Sequence, residues 1–210
     1  MSKARSIPDF SLETDALARG FTRIAGVDEV GRGPLCGPVT AAAVILDPGR
    51  IPEGINDSKT LSEAARTRLA EQIKASATWA VAHASVAEID AINILQASHL
   101  AMKRALQALD PKADYAIIDG NRMPCDMTID AQCVVKGDAR SLSIAAASIL
   151  AKVERDQIMR KLALEHPGYG WETNAGYPSP AHLAALRRLG PTPHHRISFA
   201  PVRKILCEEN

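Results

Sequence analysis

The segment VDEVGRGPLCGPV (residues 27–39) places two adjacent carboxylates, Asp28 and Glu29, directly before a loop rich in glycine and proline. Apolar and β-branched residues flank the segment, so residues 22–30 and 39–47 are predicted to form two antiparallel strands. Adjacent residues of a strand point to opposite faces of the sheet. Both carboxylates can therefore serve one site only if the strand breaks there, which the glycines permit, or if one residue contributes its backbone carbonyl.

Three alternative roles fit this segment less well. One alternative is that Asp28 and Glu29 are simple turn residues, but Gly31 and Gly33 already supply the residues that a turn needs. A dinucleotide-binding fingerprint is disfavoured because the third glycine, Gly37, comes one position late and a strand rather than a helix follows it. A phosphate-binding P-loop would need a Gly-Lys-Ser/Thr ending, which the segment lacks.

The bulk composition indicates an ordinary globular protein. The 210 residues are 46% hydrophobic and 23% charged, which fits one domain with an appendage. No apolar run approaches the ~18 residues that span a bilayer, so no membrane association is predicted. The four cysteines show no C-x-x-C pairing, which argues against a zinc site and favours a reducing, cytoplasmic location. No surplus apolar helix face demands a partner, so a monomer is expected.

Charge is unevenly distributed along the chain. Residues 136–204 carry 11 Lys and Arg against 5 Asp and Glu, a net charge of +6, whereas the whole chain carries +1. A basic C-terminal third beside an acidic remainder suggests an anionic partner. Solvated helix faces would produce the same count, so both interpretations stay open.

The remainder of the chain predicts alternating strands and helices. Further strands are predicted at residues 78–86, 115–119 and 131–135. One helix is predicted from a capping box of Thr60 and Glu63 to about Ala75, and a second over residues 88–109. A third is predicted from an N-cap at Ser141 or Ser143 to a stop at 166–168. A last helix is predicted between Ser179 and Gly190. This order indicates an α/β fold, with a mixed sheet covered by helices and a helical extension after residue 165.

Two more carboxylates lie at positions typical of functional sites. Asp119 ends the strand YAIID, at the carboxyl end where the sites of α/β sheets gather. Asp138, in VVKGDARS, lies between a strand and a helix N-terminus; its alternative role, complementing the helix dipole, is worth only ~0.3–1 kcal/mol. Asp126 and Asp130 belong to an irregular loop and are interpreted as solvated.

If Asp28, Glu29, Asp119 and Asp138 converge, their charges need compensation. Two unit charges at ~4 Å repel by ~4 kcal/mol at an effective dielectric constant of about 20, so several such pairs could not all stay ionised without a counter-charge. A divalent cation resolves the repulsion, and all-oxygen ligation favours Mg²⁺ or Mn²⁺ over zinc. Two such ions ~3.5–4 Å apart are a standard device of phosphoryl chemistry.

Six motifs occur in the order seen in one known family: GVDEVGRGPLCGPV, NDSKTLS, IIDGN, VVKGDARSLSIAAASILAKVERD, HPGYGW…NAGYPSPAH and HHRISFAPV. The chain thereby resembles the ribonuclease HII family over about residues 22–204. The resemblance implies a ribonuclease H-like fold with a central mixed five-stranded sheet flanked by helices. It implies a catalytic domain at residues 1–165 and a C-terminal helical extension at 166–210, packed on the same domain.

The same resemblance implies an endoribonuclease that hydrolyses the RNA strand of RNA–DNA hybrids. Such an enzyme also cuts on the 5′ side of single ribonucleotides embedded in duplex DNA, leaving a 3′-hydroxyl and a 5′-phosphate. The metal-binding, catalytic residues would be Asp28, Glu29, Asp119 and Asp138. The substrate-binding residues would be Gly31, Arg32, Gly33, Lys59 and Tyr177.

Physical arguments support some of these implied roles. Glycines let the backbone approach the sugar closely, and only the 2′-hydroxyl distinguishes RNA from DNA at a given position. Tyr177 offers a flat apolar face for the deoxyribose at an RNA–DNA junction, and Lys59 could hold a phosphate. Without the family, Tyr177 would be an ordinary loop tyrosine, Lys59 a solvated lysine and residues 194–196 a surface turn.

The hypothesis for the mechanism is hydrolysis with two metal ions, one held by Asp28 and Asp138 and the other by Asp28, Glu29 and Asp119. Two rival functions are considered. One is a carboxylate-metal nuclease or phosphatase acting on another substrate, since such a site does not select RNA by itself. The other is a non-catalytic nucleic-acid binding module that uses the basic region. The sequence leaves open the choice between Mg²⁺ and Mn²⁺, the sequence context of cleavage and contacts with other repair proteins.

Overall fold

The structure is a computed structural model in which residues 7–208 are described, and it contains one five-stranded sheet. The strands are β1 (Ile24–Val30), β2 (Val39–Ile45), β3 (Thr78–Ala84), β4 (Tyr115–Asp119) and β5 (Asp130–Val134). The helices are α1 (Ser11–Ala18), α2 (Glu63–Ser76), α3 (Val86–Ala108), α4 (Leu142–Glu165), α5 (Trp171–Asn174), α6 (Pro180–Leu189) and α7 (Ala200–Glu208). A single 3₁₀ turn at Gly137–Ala139 precedes α4.

The sheet is mixed, as predicted, and its strand order is β3-β2-β1-β4-β5. β1, β2 and β3 form an antiparallel meander, whereas β4 pairs in parallel with both β1 and β5. The parallel register aligns Val27 of β1 with Ile118 of β4. Each of these residues directly precedes an aspartate, so the topology brings Asp28 and Asp119 to the same edge of the sheet.

Helices cover both faces of the sheet. α3 packs with β1–β4 in one buried cluster, and α4 packs with β2 and α2 in another. α4 can approach closely because its N-terminal half carries small buried residues, the alanines at 145–147 and 151 and the serines at 143 and 148, and because β1 has a glycine at position 26. A Cβ atom at Gly26 would collide with the backbone of Ser143, so the helix and the strand touch main chain to main chain there.

The helices after residue 165 form a third buried cluster with the loop between β1 and β2. Trp171, Leu186 and Val202 pack there against Met159 of α4 and Leu35 of the loop. The extension therefore covers the segment that follows the acidic pair.

Several predicted helix boundaries change in the structure. Ser62, not Thr60, caps α2: its Oγ accepts a hydrogen bond from the Ala65 N–H, whereas the Thr60 hydroxyl donates to the Asp57 carbonyl. The predicted cap at Ser141 is confirmed by a 3.1 Å bond from the Ile144 N–H. The helix capped by Ser179 is not the last one, because α7 follows it.

α1 was also missed by the sequence interpretation; it is short, and its N-cap residue, Phe10, provides no side-chain hydrogen bond that a motif search would notice. α3 is interrupted at Asn93, whose φ of 67° is not helical. Within residues 7–208, no helix is long and apolar enough to cross a membrane.

Candidate active site

Three carboxylates meet where β1 and β4 end. Asp28, Glu29 and Asp119 each offer one oxygen, and these three oxygens lie within 4.8 Å of one another. β1 continues to Val30, so the strand does not break at the pair, and the backbone first takes a positive φ, 95°, at Gly31. Two side chains of adjacent strand residues therefore reach the same group without the predicted break.

Asp138 lies beside this group rather than within it. It belongs to the 3₁₀ turn before α4 and is only 7% exposed. The turn is tied to β4 by a 2.6 Å hydrogen bond from the Gly137 N–H to Asp119 Oδ1. Asp138 Oδ2 accepts a 3.3 Å hydrogen bond from Lys59 Nζ, so the lysine of the NDSK segment reaches the acidic group.

The electrostatics of the group favour a bound cation. Burial, and then the charges of Glu29 and Asp119, raise the pKa of Asp28 well above its usual range. Burial also raises the pKa of Glu29, although the nearby Arg32 opposes the shift, and it raises the pKa of Asp119. Each carboxylate is thus harder to ionise in the folded chain than in water, and a cation would remove that penalty.

The donor set fits Mg²⁺ or Mn²⁺. Every candidate ligand atom is a carboxylate oxygen, the donor that these hard dications prefer. Glu29 Oε2 is buried and has no hydrogen-bond partner among the described residues. An unsatisfied buried acceptor costs about 1–3 kcal/mol, and more when it is charged, and a metal ion would satisfy it.

Two serines, Ser148 and Ser58, are linked by hydrogen bonds to Asp28 and to each other. A hydrogen bond from Ser148 of α4 favours the ionised form of Asp28 and so lowers its pKa. The Ser148 hydroxyl lies 2.9 Å from that of Ser58, and both residues are buried. The sequence interpretation missed both. Ser148 lies within an alanine-rich helix and carries no signal until the strand beneath it is known, and Ser58 lies in the NDSK segment, where only Lys59 was singled out.

Apart from Lys59, the predicted substrate residues lie in the loop that follows the acidic pair or against it. Arg32 Nη1 is 3.2 Å from Glu29 Oε1. A Cβ atom at Gly33 would lie 3.2 Å from Cε1 of Tyr177, so the tyrosine ring lies against this glycine, with 46% of the residue exposed. The structure therefore brings Tyr177 of the extension to the loop that follows the carboxylates.

Residues 194–196 do not form a surface turn, contrary to the prediction made without the family. His195 and Arg196 are 1% and 0% exposed. The Arg196 guanidinium donates hydrogen bonds to the backbone carbonyls of Gly31, Arg32, Pro34, Gly37 and Pro38. Arg155 of α4 holds the same loop through the carbonyls of Cys36 and Pro38.

Two buried arginines thus keep the glycine-rich loop in place. The loop is too irregular to pair its own carbonyls, and a buried carbonyl without a donor is costly. The glycine and proline content indicates this need, but only the folded chain reveals which donors meet it.

A cleft of about 290 Å³ opens beside Glu29 and Asp119, and Arg32, His99 and Arg122 also line it. The cleft combines the acidic group with basic side chains on its walls, which suits a polyanion whose charge is partly neutralised at the site of reaction. His99 and Arg122 were not among the predicted site residues: His99 lies on α3, whereas Arg122 is only three positions after Asp119, in the loop that follows β4.

Comparison with known proteins identifies the family. A family model described as Ribonuclease HII matches residues 25–202. A Ribonuclease HII of Ruegeria sp. (strain TM1040) is 64% identical over 209 residues, which cover 100% of this chain and 91% of that protein. The chain belongs to the ribonuclease HII family. A Ribonuclease HII of Paracoccus denitrificans (strain Pd 1222) is also 64% identical, over 96% of both chains.

Solved structures confirm the ribonuclease H-like fold. Ribonuclease H2 from Pyrococcus horikoshii OT3 superposes with a TM-score of 0.75 at 27% identity, covering 89% of this chain and 98% of that one. Bst-RNase HIII in complex with Mn²⁺ has a TM-score of 0.71 at 22% identity over 89% of this chain and 70% of that one, and it supports the fold alone.

Because the chain belongs to the ribonuclease HII family, it is a nuclease, that is, a hydrolase that acts on RNA. The activity of this family is cleavage of the RNA strand of RNA–DNA hybrids. Dependence on a metal is general for the family. The interpretation as a non-catalytic binding module is therefore wrong.

Proposed function

We propose that the chain, beyond cleaving hybrids, cuts on the 5′ side of single ribonucleotides in duplex DNA and leaves a 3′-hydroxyl and a 5′-phosphate. The observation that carries this proposal is the convergence of Asp28, Glu29 and Asp119 beside a loop that Tyr177 overlies. A carboxylate group alone would serve many phosphodiesters. The adjoining loop and tyrosine add surfaces for a ribose and for its deoxyribose neighbour.

Asp28, Glu29, Asp119 and Asp138 are proposed to hold two divalent ions, Mg²⁺ or Mn²⁺, when substrate is bound. Asp28 would contact both, because it is the most buried of the converging carboxylates and the other two lie around it. Such ions supply an activated water and stabilise the departing 3′-oxygen. Dependence on a metal, which is general for the ribonuclease HII family, supports a divalent ion here.

The remaining residues bind and orient the substrate. The backbone of Gly31 and Gly33 approaches the sugar and hydrogen-bonds the 2′-hydroxyl, and a site built in this way rejects the analogue without a hydroxyl by ~10⁴-fold or more. Tyr177 packs on the deoxyribose that follows the ribonucleotide. Arg32 and Lys59 hold phosphates, because both combine a positive charge with exposure at the rim of the acidic group.

The test is the cleavage of four duplexes: one with a single ribonucleotide in DNA, one RNA–DNA hybrid, one all-DNA and one all-RNA. We expect cleavage of the first two only, with Mg²⁺ or Mn²⁺ and not with chelator, and with the cut mapped to the 5′ side of the ribonucleotide. Asp28→Asn should abolish cleavage at saturating Mg²⁺ while keeping the fold. Cleavage of the all-DNA or all-RNA duplex at a similar rate would instead favour the rival phosphodiesterase, and an active Asp28→Asn variant would exclude the metal role.

We further propose that the chain acts as a monomer in a reducing, cytoplasmic setting. All the proposed site residues come from one chain, and all four cysteines are unpaired. The molar mass in solution, measured by light scattering with and without a hybrid duplex, tests the monomer. A dimer mass in both conditions would contradict it.

A further inference from the structure

A second group of metal-ligating side chains lies far from the carboxylates. Glu165, His166 and His194 each offer one ligand atom, and these atoms lie within 4.8 Å of one another. The two imidazole rings have centroids 5.0 Å apart and planes inclined by 62°. Glu165 ends α4, whereas Asp138 lies just before its start, and a helix of 24 residues is about 36 Å long. The two groups are therefore at opposite ends of one helix.

The backbone of each imidazole ligand is already fixed. The His166 N–H donates to the Leu162 carbonyl at 2.9 Å. The His194 N–H donates to Thr192 Oγ1, and its carbonyl accepts a 2.9 Å hydrogen bond from the Gly37 N–H. Within residues 7–208, none of the three side chains makes a hydrogen bond or an ion pair, so their lone pairs are available to a ligand.

Local charge favours a cation at this place. Glu165 is the last residue of α4, where the negative end of the helix dipole disfavours a carboxylate, and no basic residue lies in the last turn. Glu165 is exposed and the two histidines are half-buried, so a small ion can enter from solvent. A bound cation would offset the unfavourable position of the Glu165 carboxylate and would be coordinated by the two imidazoles. Packing of the surrounding side chains does not offset it.

We propose that Glu165, His166 and His194 form a second metal site, which binds a transition-metal dication of the Zn²⁺ type and joins the end of α4 to the loop at 192–196. Two imidazoles and one carboxylate are a known ligand set for Zn²⁺, with water in the fourth position. Mg²⁺ prefers an all-oxygen set and is a poor competitor here. The absence of paired cysteines, which argued against zinc, does not bear on a histidine site.

The ion would act on the structure of the extension. His194 is two residues from Arg196, whose guanidinium holds the glycine-rich loop, and the His194 carbonyl binds the same loop through Gly37. A ligand that binds only the folded state stabilises it by mass action. The bound ion therefore raises the melting temperature and leaves the carboxylate group unchanged.

Calorimetric titration of Zn²⁺ into the full chain, with Mg²⁺ in excess, tests the site. We expect one Zn²⁺ per chain, an affinity at least about 100-fold lower in His194→Ala, and at least about 10-fold lower in Glu165→Gln, since even outer partners of metal ligands contribute 10–100-fold. His83→Ala, a histidine on β3, is the matched control and should bind as the unmodified chain does. Asp28→Asn, which removes the proposed catalytic carboxylate, should also bind Zn²⁺ unchanged.

The outcomes separate the two metal sites. Tight binding that survives both His194→Ala and Glu165→Gln, or that is lost in Asp28→Asn, would overturn the proposal and place the Zn²⁺ elsewhere. If His194→Ala unfolds, Zn²⁺ binding by Glu165→Gln still tests the proposal. Glu165 is exposed, so its replacement removes a ligand without opening the core. Zn²⁺ should also raise the melting temperature of the unmodified chain and of Asp28→Asn by the same amount, and that of Glu165→Gln by less.

Discussion

At the scale of single residues, Asp28 carries a conflict between function and stability. It is 5% exposed, and its charge faces those of Glu29 and Asp119. Hydrogen bonds from the Glu29 N–H and from Ser148 favour its ionised form, but burial outweighs them, because its pKa is raised. The carboxylates that would hold metal ions thus destabilise the metal-free fold.

Removing this charge should stabilise the metal-free protein. In chelator at neutral pH, we expect Asp28→Asn to melt above the unmodified chain, by ~2–4 °C for each kcal/mol of repulsion removed. The folded pKa of Asp28 is raised, so its penalty is absent below the unfolded value of ~3.9, grows as the pH rises toward the folded pKa, and is complete above it. The difference in melting temperature should therefore shrink toward acid pH.

Differential scanning calorimetry over a pH series measures this effect. Asp130→Asn, at an exposed carboxylate of β5, is the control and should change little. Excess Mg²⁺ should raise the melting temperature of the unmodified chain but not that of Asp28→Asn. A lower melting temperature for Asp28→Asn in chelator at neutral pH would contradict the argument.

Tyr177 allows a prediction about substrate choice. We expect Tyr177→Ala to slow cleavage at a single ribonucleotide by about 10-fold, the size of a ~1.4 kcal/mol contact with a flat ring. Cleavage within a long hybrid should fall less, because only the isolated ribonucleotide offers a unique RNA–DNA junction. Tyr177→Phe keeps the flat face and should stay close to the unmodified rate. Equal losses on both substrates, measured as kcat/KM, would remove the junction role.

At the scale of elements, the contact between α4 and β1 positions the site. β1 carries Asp28 and Glu29, Asp138 lies just before α4, and Ser148 lies on α4 itself. Gly26 lets the two elements approach until main chain meets main chain. A small change at this contact would move one pair of carboxylates relative to the rest.

Replacing Gly26 with alanine should damage both stability and cleavage. The added Cβ would overlap the backbone of Ser143, which cannot move as the tip of a side chain can. We expect a loss of ~1–3 kcal/mol or more, seen as a melting temperature lower by several degrees, together with reduced kcat. Gly49→Ala is the control, since its nearest neighbour is a side-chain oxygen at 3.5 Å. A Gly26→Ala variant with the same melting temperature as the unmodified chain would refute the close contact.

At the scale of the whole molecule, the extension and the sheet region meet at Cys36. The Cys36 Sγ lies 2.7 Å from the position of a Cβ at Gly176, and burial raises the pKa of this thiol to about 12. Residues 1–165 and 166–210 are proposed to form one folded unit, although 1–6 and 209–210 lie outside the described residues. If so, Cys36 is exposed only when the whole chain unfolds.

Thiol reactivity measures this cooperativity. With Cys125, Cys133 and Cys207 replaced by serine, Cys36 is the single thiol, and we expect it to react with a disulfide reagent only along the global unfolding curve in denaturant. The unmodified chain should show two fast thiols, because Cys125 and Cys207 are exposed. Reaction of Cys36 well below the unfolding midpoint would show that the extension opens by itself.

Local sequence was sufficient for the five strands and the long helices, though not for α1 or α7, and it singled out the acidic residues proposed for the site. The strand at 115–119, the caps at Ser141 and Ser179, and the four carboxylates at strand and helix ends all follow from runs and turns of a few residues. The ribonuclease HII motifs supplied the expected fold and its five strands. These features depend on residues that are neighbours along the chain, and the sequence specifies those neighbours directly.

The tertiary structure alone decided which distant groups meet. Arg196 binds the Gly31 carbonyl across 165 positions of sequence, and Lys59 reaches Asp138 across 79. The same holds for Ser148 behind Asp28 and for His194 beside His166. Sequence periodicity specifies which side chains are buried, but not which donor meets which acceptor, because that choice depends on strand order and helix packing, both of which exist only once the chain has folded.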